Sequence, residues 1–337
     1  MRITRLLAIC ASFMLASAAT AEPSFVPALK QNFPDAFVLA HGSEFIAYST
    51  NDGANVPVAV SHNLRQWSVL PDPADPKRKY DALPHLGSWA KEGFTWAPEV
   101  LELNRKFLLY YSASARRENM QCVGVAVASD PKGPFVDSAS GPIVCQTKLG
   151  GTIDASPFKD TDGSLYLYFK NDGNRVHART ALYGQRLAPD GLSVIGEPQE
   201  LLKDNEKWED RVVEAPTMVR APSGYVMFYS GGFFGWNPDE GGLSHYAMGY
   251  ASCSSPLGPC TPAKANPLLH SFNDRDAGCI SGPGHQSVFS AAGHMFMSFH
   301  AWAATASCRK SPDDARYLYV APLFWKDGQP TLGPSLR

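Results

Sequence analysis

The sequence predicts an all-β fold, a five-bladed β-propeller of about four short antiparallel strands per blade, and three observations predict it. A run of aromatic and β-branched residues recurs five times at nearly equal spacing. Helical periodicity is almost absent. Gly, Pro, Asn and Asp punctuate every junction between the runs.

In chain order, the first element is a leader. Met1 to Arg5 is short and positive, and Leu6 to Ala16 is apolar but too short to span a bilayer. Ala19-Thr20-Ala21 then gives an A-x-A cleavage pattern. Residues 1–21 read as a signal peptide, so the expected location is secreted or periplasmic. Residues 22–337 then form one five-bladed domain. Its aromatic runs are Phe45 to Ser49, Phe107 to Ser112, Leu165 to Phe169, Tyr225 to Ser230 and Met295 to His300, with starts 62, 58, 60 and 70 residues apart. Their composition suits strands. Further strand-like runs follow at Val56 to Ser61, Val123 to Ala128, Tyr246 to Ala251 and Tyr317 to Ala321. A two-sheet sandwich would also supply many short strands, but it gives no reason for five repeats of equal length.

Ten or eleven residues before each aromatic run stand Asp35, Ala97, Asp154, Glu214 and His285. Equivalent positions in a propeller lie on a ring around the central channel, so four of five blades would aim an ionisable group at one point. Crowded carboxylates are unfavourable unless they share a proton or bind a cation or substrate, and crowding splits their pKa values as acid and base roles require. Asp160, Asp162 and Asp190 lie in Gly-containing turns and read as turn residues. Phe33, Trp96 and Trp236 are candidate platforms for a sugar ring, Trp236 because it belongs to a Gly-rich loop. Lys170 to Asn174 reads either as a hydroxyl-binding segment or as a tight turn, and Glu99 is a reserve carboxylate.

Composition narrows the partners. The net charge is -2 with no Lys/Arg cluster, so neither nucleic acid nor an anionic membrane is expected. Cys10 leaves with the leader. The six remaining cysteines allow fifteen pairings, of which local pairing (Cys122 with Cys145, Cys253 with Cys260, Cys279 with Cys308) is the simplest. There is no C-x-x-C pair for zinc, no G-x-S-x-G elbow and no phosphate-binding G-x-x-x-x-G-K-[ST] loop.

Phe33-Pro34-Asp35, Trp96-Ala97-Pro98-Glu99, Ile153 to Pro157, Val213 to Pro216 and Gly282 to His285, in order and at blade spacing, resemble the family 43 glycoside hydrolases. That family contains arabinanases, arabinofuranosidases and β-xylosidases, and the resemblance covers the whole mature chain. It implies an inverting hydrolase in which Asp35 is the general base, Glu214 the general acid and Asp154 the carboxylate that keeps the acid protonated. It further implies arabinan or arabinoxylan-derived oligosaccharides as substrate, with an exo-acting α-L-arabinofuranosidase placed first and an endo-arabinanase or β-xylosidase next. A non-catalytic sugar-binding propeller is the reading from another class, and the full carboxylate set argues against it. A monomer is expected. The chemistry requires no cofactor, while His285 matches a family histidine near a central cation, often calcium. Family members often carry proline after the first Asp, where this chain has Ala36. The nucleophile motif of the related invertase-like propellers is missing.

Overall fold

A computed structural model describes residues 24–236 and 242–336; the expected leader lies outside them. Blade one comprises Phe37–His41, Glu44–Tyr48, Val58–Ser61 and Ser68–Val69. Blade three comprises Thr152–Lys159, Leu165–Asn171, Ala181–Leu187 and Val194–Lys203. Blade four comprises Val213–Ala221, Gly224–Gly231, Ala247–Cys253 and Cys260–Pro262. Blade five comprises Gly284–Ala291, His294–Trp302, Arg316–Lys326 and Gln329–Leu332. Each is an antiparallel meander. Blade two departs from the expected four strands: Trp96–Leu103, Lys106–Ser114 and Gln121–Ala128 form a three-stranded sheet, and only isolated bridges from Val136 and Val144 extend its edge. A small hairpin, Phe272–Asp274 with Gly278–Ile280, lies between blades four and five. No helix among the described residues is long and apolar enough to cross a membrane.

The aromatic runs are the second strands of the blades, and their unbroken apolar character has a geometric cause. Successive strand residues point to opposite faces, and both faces of a blade are covered by neighbouring blades. Tyr111 packs with Tyr48 between blades one and two, whereas Tyr110 packs with Leu167 between blades two and three. Phe169 and Tyr168 divide in the same way between blades two and four. Five apolar clusters result, one for each junction between neighbouring blades, and the junction of blades five and one joins Leu318 and Val320 to Val38 and Ala47. Each fully buried large apolar side chain contributes about 1.5–3 kcal/mol. Tyrosine hydroxyls also reach across junctions: Tyr110 donates to the Gly191 carbonyl at 2.8 Å and Tyr168 to the Pro256 carbonyl at 2.9 Å.

Among the described residues the ring closes without strand exchange between the termini. Leu29 bridges to Leu318, and Phe25 meets Phe299 edge-on at 5.8 Å. The three disulfides join Cys122 to Cys145, Cys253 to Cys260 and Cys279 to Cys308, so the pairing is local, as expected.

Candidate active site

The first strands of the five blades surround the central channel, and four of them carry the same backbone defect. In blades two to five, two residues of the first strand oppose one of the second, between Trp96 and Glu99, Ile153 and Ser156, Glu214 and Thr217, and Gly284 and Ser287. These are β-bulges, which re-aim a side chain. The first bulge residue is left-handed in each: Ala97 (φ 44°), Asp154 (58°), Ala215 (52°) and His285 (51°); Asp35 (58°) takes the same conformation just before the first strand of blade one. A non-glycine residue there costs on the order of 1 kcal/mol or more.

One hydrogen bond per blade holds each of these residues. The backbone N–H of the ring residue donates to a side chain of the preceding blade. Asp35 donates to His300 Nδ1 (3.1 Å), Ala97 to Thr50 Oγ1 (2.9 Å), Asp154 to Ser112 Oγ (3.1 Å), Ala215 to Asp154 Oδ2 (3.0 Å) and His285 to Ser230 Oγ (2.8 Å). Thus polar residues at or just beyond the ends of the aromatic strands fix the next blade's ring residue in four cases, and in the remaining one Asp154, itself a ring residue, holds Ala215.

The ring assignment for blade four needs correction. The position equivalent to Asp35 and Asp154 is Ala215, and Glu214 precedes the bulge, paired with Ser230. Glu214 is therefore set one residue off the ring, yet it lines the same pocket of about 520 Å³ as Asp35, Asp154 and His285. That volume is ordinary for a small-molecule site, about 300–1,000 Å³.

Asp35 is held at both oxygens. Arg316 donates to Oδ1 at 3.0 Å and Thr50 to Oδ2 at 2.5 Å, while His285 Nδ1 is 3.4 Å from Oδ1. Burial alone would raise its pKa, but Arg316 and His285 hold it well below the usual carboxylate range. His300 is fully buried, and burial together with Arg316 lowers it to about 4, so it is neutral and accepts the Asp35 N–H.

Glu214 and Asp154 divide differently. Lys170 donates to Glu214 Oε2 at 2.7 Å and Tyr246 to Oε1 at 2.6 Å. Burial opposes ionisation of Glu214, but Lys170 and Tyr246 outweigh it and lower its pKa. Asp154 is raised to about 6, first by burial and then by Glu214, against the opposing pull of His285 and Lys170. The two titrate as a pair that holds one proton, on the Asp154 side, up to about pH 6. Lys170 has no exposed surface; burial disfavours its charge, but Glu214 and Asp154 keep it protonated. Half-buried Glu99 is pushed up to about 8 by burial and Asp154, against a hydrogen bond with Ser156.

The candidate platforms separate. Trp96 lines the pocket. Phe33 does not: it has no exposed surface and belongs to the apolar cluster between blades five and one, because the chain must cross that junction just before Asp35. Trp236 faces a neighbouring cleft and meets Trp302 edge-on at 6.5 Å, while Phe234 of the same loop reaches the pocket instead. The guanidinium of Arg316 lies 5.2 Å from the Phe234 ring centre. Lys170, Asp172, Asn174 and Arg175 all line the pocket, and Gly173–Val176 forms a 3-10 turn, so both readings of that segment apply. The sequence reading missed Thr50, Tyr246, His300 and Arg316. The small polar residue ending each aromatic run was the available signal for the first and third.

Asp154, Glu214 and His285 each offer a ligand atom within 4.8 Å of the others, the one such group of three among the described residues. As a calcium site it falls short. Calcium takes about 6–8 oxygens, whereas here one donor is imidazole, both Glu214 oxygens are engaged by Lys170 and Tyr246, and Asp154 Oδ2 is engaged by Ala215. The Lys170 ammonium already balances the local negative charge.

The profile of Glycosyl hydrolases family 43 matches residues 26–330. A β-D-galactofuranosidase of Aspergillus niger is 30% identical over 62% of this chain and 56% of its own length. An extracellular endo-α-(1→5)-L-arabinanase of Bacillus subtilis is 23% identical over 74% of this chain and 61% of its own. This chain thus spans between half and two thirds of the length of those relatives. Among solved structures, a thermostable family-43 glycoside hydrolase superposes with a TM-score of 0.75 at 28% identity, covering 90% of this chain and 94% of that one.

Proposed function

The chain belongs to family 43 of the glycosyl hydrolases, and from that premise we propose that it is an exported, monomeric, inverting hydrolase of arabinose-containing plant polysaccharide. Its reaction is exo-cleavage of α-L-arabinofuranosyl residues from α-1,5-arabinan or arabinan- and arabinoxylan-derived oligosaccharides. The observation that carries this reading is the opposed protonation of carboxylates in one pocket: Asp35 ionised, and the Asp154–Glu214 pair retaining a proton.

Asp35 accepts the proton of the attacking water while Arg316 and Thr50 keep its carboxylate oriented. Glu214 delivers the pair's proton to the leaving oxygen, and Asp154 is the store from which that proton is drawn. Inversion needs the base and the acid separated, at about 6.5–9.5 Å, to admit the water, and Asp35 and Glu214 belong to blades one and four, with blade five between them. His285 contacts Asp35 and orients it from the remaining side. Lys170 and Tyr246 fix the Glu214 carboxyl. These roles use no cofactor.

The names of the two relatives support a furanose in the pocket. β-D-Galactofuranose and α-L-arabinofuranose share their ring configuration and differ outside the ring, so one pocket shape suits both. Phe234, braced by Arg316 and by the Trp302 indole N–H that donates to its carbonyl at 2.8 Å, walls one side of the pocket. Closure on one side favours exo-action.

The test compares the parent with Glu214→Gln on linear α-1,5-arabinan, an aryl α-L-arabinofuranoside and an aryl β-D-xyloside. Arabinose release that is largely lost in the variant supports enzyme, acid and substrate together. Oligosaccharide products move the assignment to endo-action, and xylose release to a xylosidase. Sugar binding without hydrolysis in both proteins would leave a binding propeller.

A further inference from the structure

Two aromatic rings without exposed surface link the proposed acid to the proposed base. Tyr246 and His300 stack with ring centres 5.7 Å apart and planes inclined by 14°. The Tyr246 hydroxyl donates to Glu214 Oε1 at 2.6 Å, and His300 Nδ1 accepts the Asp35 N–H at 3.1 Å. A path of direct contacts thus runs from Glu214 on blade four through two rings to Asp35, just before the first strand of blade one.

The stack is seated on backbone. Gly284 pairs with His300 in the blade-five ladder, and a Cβ added there would fall 2.0 Å from Tyr246 Cε1 and 2.1 Å from its Cδ1. Only a residue without a side chain lets the tyrosine ring approach the strand so closely. In a close-packed interior a ring enclosed in this way cannot shift without displacing its neighbours. His285, the next residue, places its ring 6.2 Å from that of His300 and its Nδ1 3.4 Å from Asp35 Oδ1. The charge of the stack is fixed as well. Burial, and then Glu214, raises Tyr246 well above the ordinary phenol range, while burial and Arg316 lower His300 to about 4, so both rings stay neutral where the Asp154–Glu214 pair titrates.

We propose that Tyr246 and His300 are positioning residues: the stacked pair is a rigid spacer that sets the separation of the acid Glu214 from the base Asp35, and Gly284 is the bare position that seats it. The proposal rests on the glycosidase reading and deepens it. Inversion works only over a narrow separation, about 6.5–9.5 Å, and a misplacement of about 1 Å costs on the order of a hundredfold in rate. Loss of the tyrosine ring should therefore misplace the base, although the Tyr246 hydroxyl touches only the acid.

The experiment measures kcat and KM of the parent, Tyr246→Phe and Tyr246→Leu on phenyl and dinitrophenyl α-L-arabinofuranosides, with and without azide. Dinitrophenolate leaves with the bond pair and needs no proton from the acid, so that substrate reports on the base. Azide attacks the anomeric carbon as an anion with no proton to remove, so it bypasses the base. Tyr246→Phe keeps the ring and loses the hydroxyl, and its loss should fall mainly on the phenyl glycoside. Tyr246→Leu should lose a further factor of about ten to a hundred in kcat on both substrates, and azide should restore the dinitrophenyl reaction. Gly284→Ala, which crowds the ring out of its seat, should behave like Tyr246→Leu and stands in for it if the leucine variant does not fold. A Tyr246→Leu protein with parental circular dichroism that matches Tyr246→Phe on the dinitrophenyl glycoside overturns the spacer. So does a loss confined to KM and unmoved by azide, which is what a missing pocket wall would give. If the parent hydrolyses neither glycoside, the glycosidase reading fails, and the amide NMR signal of Asp35 still reads the spacer: a shift in Tyr246→Leu that is absent from Tyr246→Phe supports it, and like signals in both overturn it.

Discussion

Replacing Lys170 with methionine takes away the ammonium 2.7 Å from Glu214 Oε2 while keeping much of the side chain's length in a site with no exposed surface. A hydrogen bond to a charged group contributes about 1.5–3 kcal/mol, and one pKa unit corresponds to about 1.4 kcal/mol. The Asp154–Glu214 pair should therefore hold its proton about one to two units more tightly. In the parent that proton is retained to about pH 6, so activity that needs the protonated acid falls as pH rises through that value. In Lys170→Met the descending limb of kcat/KM should move up by about one to two units. Stability shifts in the matching sense. In the parent, the lowered pKa of Glu214 contributes stability above its ordinary value, and this is lost as pH falls through the folded value. In the variant the carboxylate is buried without its cation, and a loss of about 3–5 kcal/mol develops as pH rises. The assay is the pH profile on an aryl arabinofuranoside from about pH 4 to about pH 8, with thermal melts at both ends. A folded variant whose descending limb has not moved would refute Lys170 as the group that sets the pair's proton affinity.

Two further substitutions report on the same electrostatics. Asp154→Asn keeps an acceptor for the Ala215 N–H but cannot ionise. Because the folded pKa of Asp154 is raised to about 6, its ionisation costs stability as pH rises from its ordinary value through that one. The variant should thus gain about 1–3 kcal/mol above pH 6 and nothing in acid, while losing activity; urea denaturation at the two pH values checks this, and a variant weaker than the parent at neutral pH contradicts it. Arg316→Met removes the largest of the influences that oppose burial at Asp35. The ascending limb of the pH profile should move up by about one to two units, and a limb that stays in place would show that the other contacts of Asp35 suffice to hold the carboxylate ionised.

The blades were legible because each second strand buries both of its faces, which forces the continuous apolar runs of Tyr110-Tyr111 and Tyr168-Phe169 that recur at fixed spacing. The carboxylates were legible because the bulge repeats with the blades. The same periodic argument misplaced Glu214, since a sequence offset accurate to one residue cannot tell a bulge residue from the one before it. Phe33 looked like a platform because it stands two residues before Asp35, but the chain crosses the junction between blades five and one there and buries the ring in it. The pairings that set the carboxylates were out of reach for another reason: Lys170 was visible only as part of a hydroxyl-binding or turn segment, and its contact with Glu214, like those of Tyr246 with Glu214 and Arg316 with Asp35, spans 44, 32 and 281 positions and leaves no local pattern.

The hydrogen bonds that pass from each blade to the next ring residue have a direction, and the chain meets them in order except at one point. Ala97, Asp154, Ala215 and His285 are held by residues already synthesised. Asp35 alone depends on residues made later, His300 for its N–H and Arg316 for its Oδ1, 265 and 281 positions downstream. The earliest carboxylate of the site to leave the ribosome is therefore the last to be seated. An unfinished chain, or one nicked ahead of the fifth blade, carries the proposed base without the groups that aim it, so competence for chemistry arrives only when the circle is complete.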